Sequence, residues 1–243
     1  MTTTASNPLE IRGWYRFARG IIGALVRILC RLEVVGMENV PDRGPCVLVT
    51  NHLHWLDTPL LAVVLPWRAY VFAGEKWEAH WLLGPFLSSV GAIFINRGEV
   101  DREALRRAYA ILRNGGVLGM APEGTRSKTG ALQKGRSGAA YIASRAPARV
   151  LPAVTTGQVD LFPYLRRFRR ARVRIAFGPT FGAPPVPPGK KAGAAEISEF
   201  SEEIMYRLAA MLPPEYRGVY ADVEERRPDL LALYAPFRES ADA

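Results

Sequence analysis

Residues that build covalent or metal frameworks are scarce in this chain, which has two cysteines and three histidines among 243 residues. Cys30 and Cys46 provide neither a disulfide framework nor the spacing of a metal site. A structural zinc site needs clustered cysteine and histidine ligands, and the sequence has no such cluster. We therefore expect no bound metal and a reducing, cytoplasmic compartment.

Long apolar segments are also absent. No run in the sequence approaches the ~20 apolar residues that a helix needs to cross a bilayer. The first apolar stretch follows several arginines and lacks a convincing cleavage site, so we expect no secretory signal. These absences argue against an integral membrane protein with spanning helices and against a secreted protein.

The composition is that of a folded protein with an excess of positive charge. Hydrophobic residues make up 49% of the chain, enough for one sizeable core. The net charge of +9, from 32 basic and 23 acidic residues, indicates an anionic partner or simply serves solubility. Nucleic acid, a membrane surface and a charged cofactor would each fit. No helix-turn-helix, zinc-finger or RNA-recognition pattern is present, so we expect no nucleic acid partner.

The N-terminal segment has an amphipathic pattern. Residues 9–32 predict one or two helices with an apolar face opposite an arginine-rich face. This pattern is typical of a helix that lies in the plane of anionic lipid headgroups, although a helix packed on the domain core would share it. We predict a membrane-associating segment at residues 1–32 and a main domain at residues 33–243. The apolar face has Trp14, Phe17, Ile21, Leu25, Ile28 and Leu32; the opposite face has Arg12, Arg16, Arg19, Arg27 and Arg31.

Strands and helices alternate along the rest of the chain. This alternation predicts a single α/β domain with a largely parallel or mixed central sheet flanked by helices. Strands are predicted at residues 33–35, 46–50, 70–73, 91–97, 117–121, 150–155 and 173–177. Helices are predicted at residues 57–65, 76–86, 101–112, 134–144 and 194–212.

A histidine and an aspartate follow the second predicted strand, in the run NHLHWLD at residues 51–57. The carboxyl end of a strand is where α/β folds usually place chemistry. An imidazole can take and return a proton near neutral pH, and a carboxylate held against its far nitrogen fixes the tautomer. We therefore predict that His52 is a general base oriented by Asp57; the alternative is a structural histidine. No serine or cysteine shows a paired base motif.

A second polar run, APEGTRS at residues 121–127, follows the fifth predicted strand. It offers the carboxylate of Glu123, the flexible backbone of Gly124 and the guanidinium of Arg126, which are parts of an anion site. A base together with a phosphate anchor indicates transfer chemistry on a phosphorylated alcohol.

Four runs, in order and spacing, resemble the motifs of the glycerophospholipid acyltransferases, which include the bacterial 1-acylglycerol-3-phosphate acyltransferases. They cover residues 51–57, 91–97, 122–127 and 150–154, and the resemblance extends over residues 34–178. One departure is Ala121, which stands where the family usually has an aromatic residue and which implies a differently shaped pocket. The resemblance implies that residues 33–243 are an acyltransferase domain.

The implied reaction transfers a fatty acyl group from a thioester to the hydroxyl of 1-acylglycerol-3-phosphate (lysophosphatidic acid), giving phosphatidic acid. The donor is acyl-coenzyme A or acyl carrier protein as co-substrate, with no cofactor. His52 is the implied base and Asp57 its partner. Arg126 is the first candidate for binding the acceptor phosphate, and Arg97 of the second motif is the next. Lys134 is a further candidate that could equally be a solvated helix residue.

The remaining predicted site residues have supporting roles. Glu123 orients Arg126 or binds acceptor hydroxyls, while Gly124 permits close backbone approach. Thr125 completes the predicted substrate-binding run with its neighbours. Pro152, in the fourth motif, is predicted to shape a strand beside the acyl channel.

The predicted location is the cytoplasmic face of the cell membrane, as a peripheral or monotopic protein on an anionic surface. Two alternatives remain open at the level of sequence. One is the same chemistry on an ornithine lipid, a glycolipid or another lysophospholipid. The other is a non-catalytic membrane-binding protein on this fold. The basic cluster at residues 166–174 is either a solvated face or a site for headgroups or coenzyme A phosphates.

Overall fold

A seven-stranded sheet forms the centre of the protein, in the order β1-β7-β6-β2-β5-β3-β4. The computed structural model describes residues 13–81, 83–95, 101–186 and 190–238. The strands are β1 (Cys30–Val35), β2 (Cys46–Thr50), β3 (Ala69–Gly74), β4 (Ala92–Ile95), β5 (Val117–Met120), β6 (Arg149–Thr156) and β7 (Ala171–Phe177).

The sheet is mixed. Strands β4, β3, β5, β2 and β6 are parallel to one another, β7 is antiparallel to β6, and β1 is parallel to β7. The carboxyl ends of the five parallel strands therefore lie at one edge of the sheet, which we call the carboxyl edge. The predicted α/β class is confirmed, and of the two predicted sheet types, largely parallel or mixed, the sheet is mixed.

Helices cover both faces of the sheet. They are α1 (Gly13–Leu29), α2 (Asp57–Val64), α3 (Leu83–Ser89), α4 (Arg102–Arg113), α5 (Gly138–Arg145), α6 (Leu161–Leu165), α7 (Ala194–Met211), α8 (Val223–Arg226) and α9 (Pro228–Arg238). Alternate residues of β2 point to opposite faces: Val47 and Val49 pack with α4, α5 and α7, whereas Cys46 and Leu48 pack with α1 and α2. Such two-sided burial explains why the central strands are continuously apolar.

Two predicted helices begin later in the structure than in the prediction. The helix predicted at 76–86 is wrong over its first half, where Glu75–Trp77 forms a short 3₁₀ turn and α3 begins at Leu83. Pro85 explains the break, because within a longer helix it would clash with the preceding turn, whereas it is tolerated in a first turn. The helix predicted at 134–144 begins at Gly138.

The amphipathic helix α1 packs on α2 through a third face. Tyr15, Ala18 and Val26 are buried, and Arg19 donates from its guanidinium to the carbonyl oxygen of Val63 at 2.8 Å. The helix ends at Leu29, so the predicted member Leu32 lies in β1 instead, and residues 9–12 lie outside the described residues. The exposed apolar side chains form a row along α1: Trp14, Phe17, Ile21, Leu25 and Ile28.

A role of α1 at the membrane stays a prediction, as does the division of the chain at residue 32. Over the described part of the chain, no helix has the length and apolarity needed to span a bilayer.

The turn after β6 depends on Gly157, and we expect Gly157→Ala to lower the free energy of unfolding by about 3 kcal/mol. Gly157 has φ +80°, and a Cβ there would clash with the carbonyl oxygen of Arg172. Gly130 is a matched control, because it has the same φ of +80° but no atom lies within 4 Å of the position that a Cβ would take. Gly130→Ala should cost only about 1 kcal/mol. Equal losses in chemical denaturation would contradict the importance of this turn.

Candidate functional site

His52 and Asp57 form a hydrogen-bonded pair at the carboxyl edge. His52 follows the end of β2, and Asp57 is the first residue of α2. The imidazole Nδ1 lies 2.8 Å from the carboxylate Oδ2 of Asp57. The side chain of His52 is 21% exposed, whereas that of Asp57 is 2% exposed. Nδ1 is therefore occupied by Asp57. The other ring nitrogen, Nε2, has no hydrogen-bond partner among the described residues.

The carboxylate of Asp57 also organises the turn that carries the histidine. Its Oδ2 accepts hydrogen bonds from the backbone N–H groups of Leu53 at 2.8 Å and His54 at 2.9 Å. The buried negative charge is therefore stabilised by donors from its own turn as well as by His52. This local network holds the imidazole in one orientation.

Gln158 completes the network from the turn after β6. Its amide Nε2 donates to Asp57 Oδ1 at 2.8 Å and to the carbonyl oxygen of Thr155 at 3.2 Å. Gln158 is fully buried in the turn after β6. Sequence analysis missed this residue. The signal that could have revealed it is a polar side chain directly after β6, because β6 neighbours β2 and ends at the same edge.

Asn51 joins the same two strand ends. Its amide Nδ2 donates to the carbonyl oxygen of Thr155 at 2.9 Å, and the N–H of Thr155 donates to Asn51 Oδ1 at 2.9 Å. The amide of Asn51 thus takes the place of a backbone peptide group and continues the pairing of β2 with β6 by one residue. This pair fixes the position of β2, and therefore of His52, relative to Gln158.

The loop at residues 121–127 encloses the backbone of His52. The N–H of His52 donates to Glu123 Oε1 at 3.0 Å, and the N–H of Ser127 donates to the carbonyl oxygen of His52 at 2.7 Å. The second carboxylate oxygen of Glu123 accepts from the N–H of Gln133 at 2.9 Å. Burial raises the pKa of Glu123, although these donors lower it in part. Glu123 is 2% exposed, so its geometry favours a role in holding the loop over direct contact with a substrate.

Arg126 extends into solvent beside the pair of His52 and Asp57, which we call the histidine pair. Its guanidinium has no partner among the described residues, and its charge helps to lower the pKa of His54. Burial is the larger cause of that lowered pKa, and the charge of His52 acts in the same direction, while Asp57 opposes it. Arg126 is therefore a cation within electrostatic range of the site and available to an anion.

Gly124 has φ +72° and lies under the side chain of Arg136. A Cβ at Gly124 would come within 2.9 Å of Arg136 Cδ, so the absence of a side chain lets the arginine cross this loop. Arg136 is exposed, and its N–H donates to the carbonyl oxygen of Pro122 at 2.8 Å. It is a second cation next to the loop that the sequence analysis did not select.

The other predicted site residues have different positions. Thr125 is half-buried between Gly124 and Arg126, and Lys134 is exposed ahead of α5 with no contact that ties it to the pair. Pro152 is buried in β6 and pairs with Val49 of β2, three residues before His52. Its role beside an acyl channel stays a prediction. Arg97 lies outside the described residues.

The described residues contain no group of three or more histidine, cysteine, aspartate or glutamate side chains that could hold a metal ion. The groups that the geometry brings together are a partly exposed imidazole, an orienting carboxylate and nearby guanidinium groups. Fold and site together define an α/β protein with a histidine–aspartate pair at the carboxyl edge of its parallel strands, next to a loop with an exposed arginine.

The chain belongs to the acyltransferase family. The family model described as Acyltransferase matches residues 31–156, just over half of the chain. This match includes the histidine pair and the loop at residues 121–127. The resemblance found in the four motifs is confirmed.

Curated relatives are similar to the central part of the chain. A 1-acyl-sn-glycerol-3-phosphate acyltransferase of Bacillus subtilis (strain 168) is 25% identical over 144 residues, which cover 59% of this chain and 71% of that protein. The 1-acyl-sn-glycerol-3-phosphate acyltransferase alpha of Bos taurus is 30% identical over 168 residues, covering 65% of this chain and 54% of that protein. The chain therefore spans about half the length of the bovine relative.

A solved structure shows the same fold. The 1-acyl-sn-glycerophosphate (LPA) acyltransferase, PlsC, from Thermotoga maritima superposes with a TM-score of 0.60 at 24% sequence identity. The similarity covers 86% of this chain and 80% of that one. It supports the arrangement of helices around the mixed sheet.

We expect Gln158→Leu to lower the free energy of unfolding by about 2 kcal/mol, because Asp57 Oδ1 would lose its donor while staying buried. Chemical denaturation monitored by circular dichroism measures this loss. Val159→Ala is the control, since Val159 is an exposed neighbour. Equal stability of Gln158→Leu and wild type would show that the carboxylate does not need this hydrogen bond.

We expect Arg126→Gln to raise the pKa of His54, because removing a nearby positive charge makes protonation of the imidazole easier. The pKa is measured by NMR titration of the histidine ring signals. Arg113→Gln serves as the control, since Arg113 is exposed at the end of α4, where the chain enters the opposite edge of the sheet. If the pKa of His54 is unchanged in Arg126→Gln, the guanidinium is too far from His54 to influence its protonation.

Proposed function

We propose that this protein transfers a fatty acyl group from an acyl thioester to the hydroxyl of 1-acylglycerol-3-phosphate, giving phosphatidic acid. The observation that carries the proposal is the 2.8 Å pair of His52 Nδ1 and Asp57 Oδ2, with the imidazole partly exposed at the carboxyl edge. The named relatives act as 1-acyl-sn-glycerol-3-phosphate acyltransferases, which supports this choice of reaction.

His52 acts as the general base in the proposed mechanism. Nε2 removes the proton of the acceptor hydroxyl as its oxygen attacks the thioester carbonyl, and a positioned base contributes about 10²–10⁴-fold to such a step. The carboxylate of Asp57 stabilises the imidazolium that forms. When the tetrahedral intermediate collapses, the thiolate leaves and takes the proton back from His52. The products are the acylated acceptor and the free thiol of the donor.

A covalent acyl-enzyme is not needed, because a thioester already contains a good leaving group. The two cysteines are poor candidates for a nucleophile: both are buried, and burial raises the pKa of Cys46 to about 12. Ser127 Oγ is used within its own loop, where it donates to the carbonyl oxygen of Ala131 at 2.7 Å. Direct transfer to the acceptor is therefore the simpler mechanism.

Arg126 binds the acceptor phosphate in this proposal. A guanidinium pairs with two phosphate oxygens at once, and that of Arg126 is exposed close to the histidine pair. Arg136, which crosses Gly124, adds a second positive charge to the same loop. The buried Glu123 accepts from the N–H of His52 and so holds the loop that contains Arg126 next to the proposed base.

The exposed apolar row of α1 supports a peripheral position on the cytoplasmic membrane surface. Five large apolar side chains on one helix face are exposed, and Ile28 at the end of the row is 67% exposed. An interfacial helix buries such a face at the boundary between headgroups and acyl chains. A lipid acceptor would then reach the site without leaving the membrane. The positive net charge of +9 suits both an anionic membrane and an anionic donor, whether acyl-coenzyme A or acyl carrier protein.

The test is acylation of lysophosphatidic acid by purified protein in lipid, with acyl-coenzyme A and acyl carrier protein as separate donors. Wild type should form phosphatidic acid, and His52→Ala should lose at least about a hundredfold in kcat, because it lacks the base. Arg126→Ala should raise KM for lysophosphatidic acid more than it lowers kcat. His54→Ala is a matched control, since His54 is the neighbouring histidine and is not the proposed base.

Each result decides between functions. Activity only on an ornithine lipid, a glycolipid or another lysophospholipid would keep the mechanism and change the acceptor. Full activity of His52→Ala would rule out the proposed base. An inactive wild type with every donor and acceptor would favour a non-catalytic membrane-binding protein. Circular dichroism of each variant ensures that a loss of activity is not a loss of fold.

A further inference from the structure

An arginine-rich turn with a fully exposed phenylalanine joins α6 to β7. We call residues 166–170, with the sequence RRFRR, the arginine loop. All five residues are exposed, and Phe168 is 101% exposed. The site chemistry proposed above uses none of them. A large aromatic side chain left entirely in water among positive charges is the feature that requires an explanation.

The backbone at Phe168 has a conformation that usually belongs to glycine. The N–H of Phe168 donates to the carbonyl oxygen of Leu165, and the N–H of Arg169 donates to that of Tyr164, which is the hydrogen-bond pattern that ends a helix with a left-handed residue. Phe168 has φ +53° and is the one non-glycine residue with positive φ in the described part of the chain. A bulky residue is unfavourable here. Folding therefore does not account for the phenylalanine.

The arginine loop lies at the carboxyl edge, together with the histidine pair. It follows β6 and α6 and leads into β7, which is antiparallel to β6. In α6 itself, the ring of Phe162 is 6.3 Å from the ring of His54 and is 53% exposed. Apolar side chains near the site and at the tip of the loop are thus presented at the same edge.

The arginine loop is also tied to the end of α1. The guanidinium of Arg170 donates to the carbonyl oxygens of Arg27 and Cys30, with Nε 3.1 Å from the oxygen of Cys30. These carbonyls lie at the last turn of α1 and just beyond it, where intrahelical partners are missing. The exposed apolar row of α1 ends at Ile28, next to this attachment. The loop and the apolar row are therefore held in a defined arrangement.

Three further arginines of the loop, Arg166, Arg167 and Arg169, have no carboxylate partner among the described residues. Phosphate groups would neutralise them, and each basic side chain near an anionic membrane favours binding by about fivefold. A soluble ligand such as coenzyme A would need a concave site, whereas Phe168 projects fully into solvent. An anionic lipid surface offers phosphates for the arginines and an apolar boundary for the ring.

We propose that the arginine loop is a second membrane contact, in which Phe168 enters the headgroup–acyl boundary and Arg166, Arg167 and Arg169 bind lipid phosphates. With α1, it docks the carboxyl edge against an anionic membrane. The proposal extends the membrane association proposed above but does not depend on the catalysed reaction. Of the basic cluster at residues 166–174, it assigns Arg166, Arg167 and Arg169 to lipid headgroups, whereas Arg170 bonds the end of α1 and Arg174 pairs with Glu33.

Co-sedimentation of the full chain with vesicles tests the loop. The vesicles contain phosphatidylcholine alone or phosphatidylcholine with phosphatidylglycerol. Phe168→Gly removes the ring while suiting the left-handed backbone, and it should weaken binding about tenfold. Phe168→Trp should retain binding, and its fluorescence should shift to the blue on vesicles. The double variant Arg166→Gln/Arg167→Gln should lose binding only on anionic vesicles, by more than about tenfold.

Matched controls distinguish an effect of the arginine loop from a general effect of losing any exposed positive charge or apolar side chain. Arg113→Gln removes an exposed arginine that does not belong to the loop, and Leu233→Ser removes an exposed apolar side chain on α9. Both should bind vesicles like wild type. Ile21→Ser tests α1 in parallel. If Ile21→Ser loses vesicle binding while the loop variants retain it, α1 docks alone and the proposal is wrong.

Acylation in neutral detergent distinguishes this proposal from the proposed function. The loop variants should match wild type there, because no anionic surface is present. A raised KM for acyl-coenzyme A in Arg166→Gln/Arg167→Gln, with unchanged vesicle binding, would assign the loop to the donor and overturn the proposal. An inactive wild type would count against the proposed reaction and leave the vesicle result to be judged separately.

Discussion

The buried carboxylate of Asp57 is the centre on which the site depends. It accepts hydrogen bonds from the ring of His52, the backbone of Leu53 and His54, and the amide of Gln158. A buried charge is tolerated only when it is paired in this way, because leaving water would otherwise cost several kcal/mol. The same contacts that satisfy the charge orient the imidazole, so stability and positioning have one origin.

The sheet brings the other components to this carboxylate. Because β5, β2 and β6 are adjacent and parallel, the segments that follow them meet at one edge. The loop after β5 binds the backbone of His52 through Glu123, and the turn after β6 supplies Gln158. Polar groups are thus concentrated where the strands end, while the strands themselves stay apolar between two helical layers.

The same edge also carries exposed aromatic side chains. Phe168 and Phe162 lie on the connection between β6 and β7. Arg170 of this connection bonds the carbonyl oxygen of Cys30, just beyond the end of α1 and its apolar row. Apolar surface beside the partly exposed His52 would let a lipid acceptor reach the imidazole while its acyl chain stays in the membrane. This arrangement relates the proposed membrane contacts to the proposed reaction through their position in the fold.

The sequence alone determined the features that depend on residues close together in the chain, namely the secondary structure and the pair of His52 and Asp57. Alternation of strands and helices indicated the α/β class, with a sheet that is largely parallel or mixed. The spacing of His52 and Asp57 indicated their pair, because both belong to the short segment between β2 and the start of α2. Tertiary structure decided the rest. Gln158 reaches Asp57 across 101 residues and Glu123 reaches His52 across 71, contacts that exist only because β6 and β5 flank β2. Hydrophobic periodicity defines which face of an element is apolar, whereas strand order and packing define what that face meets.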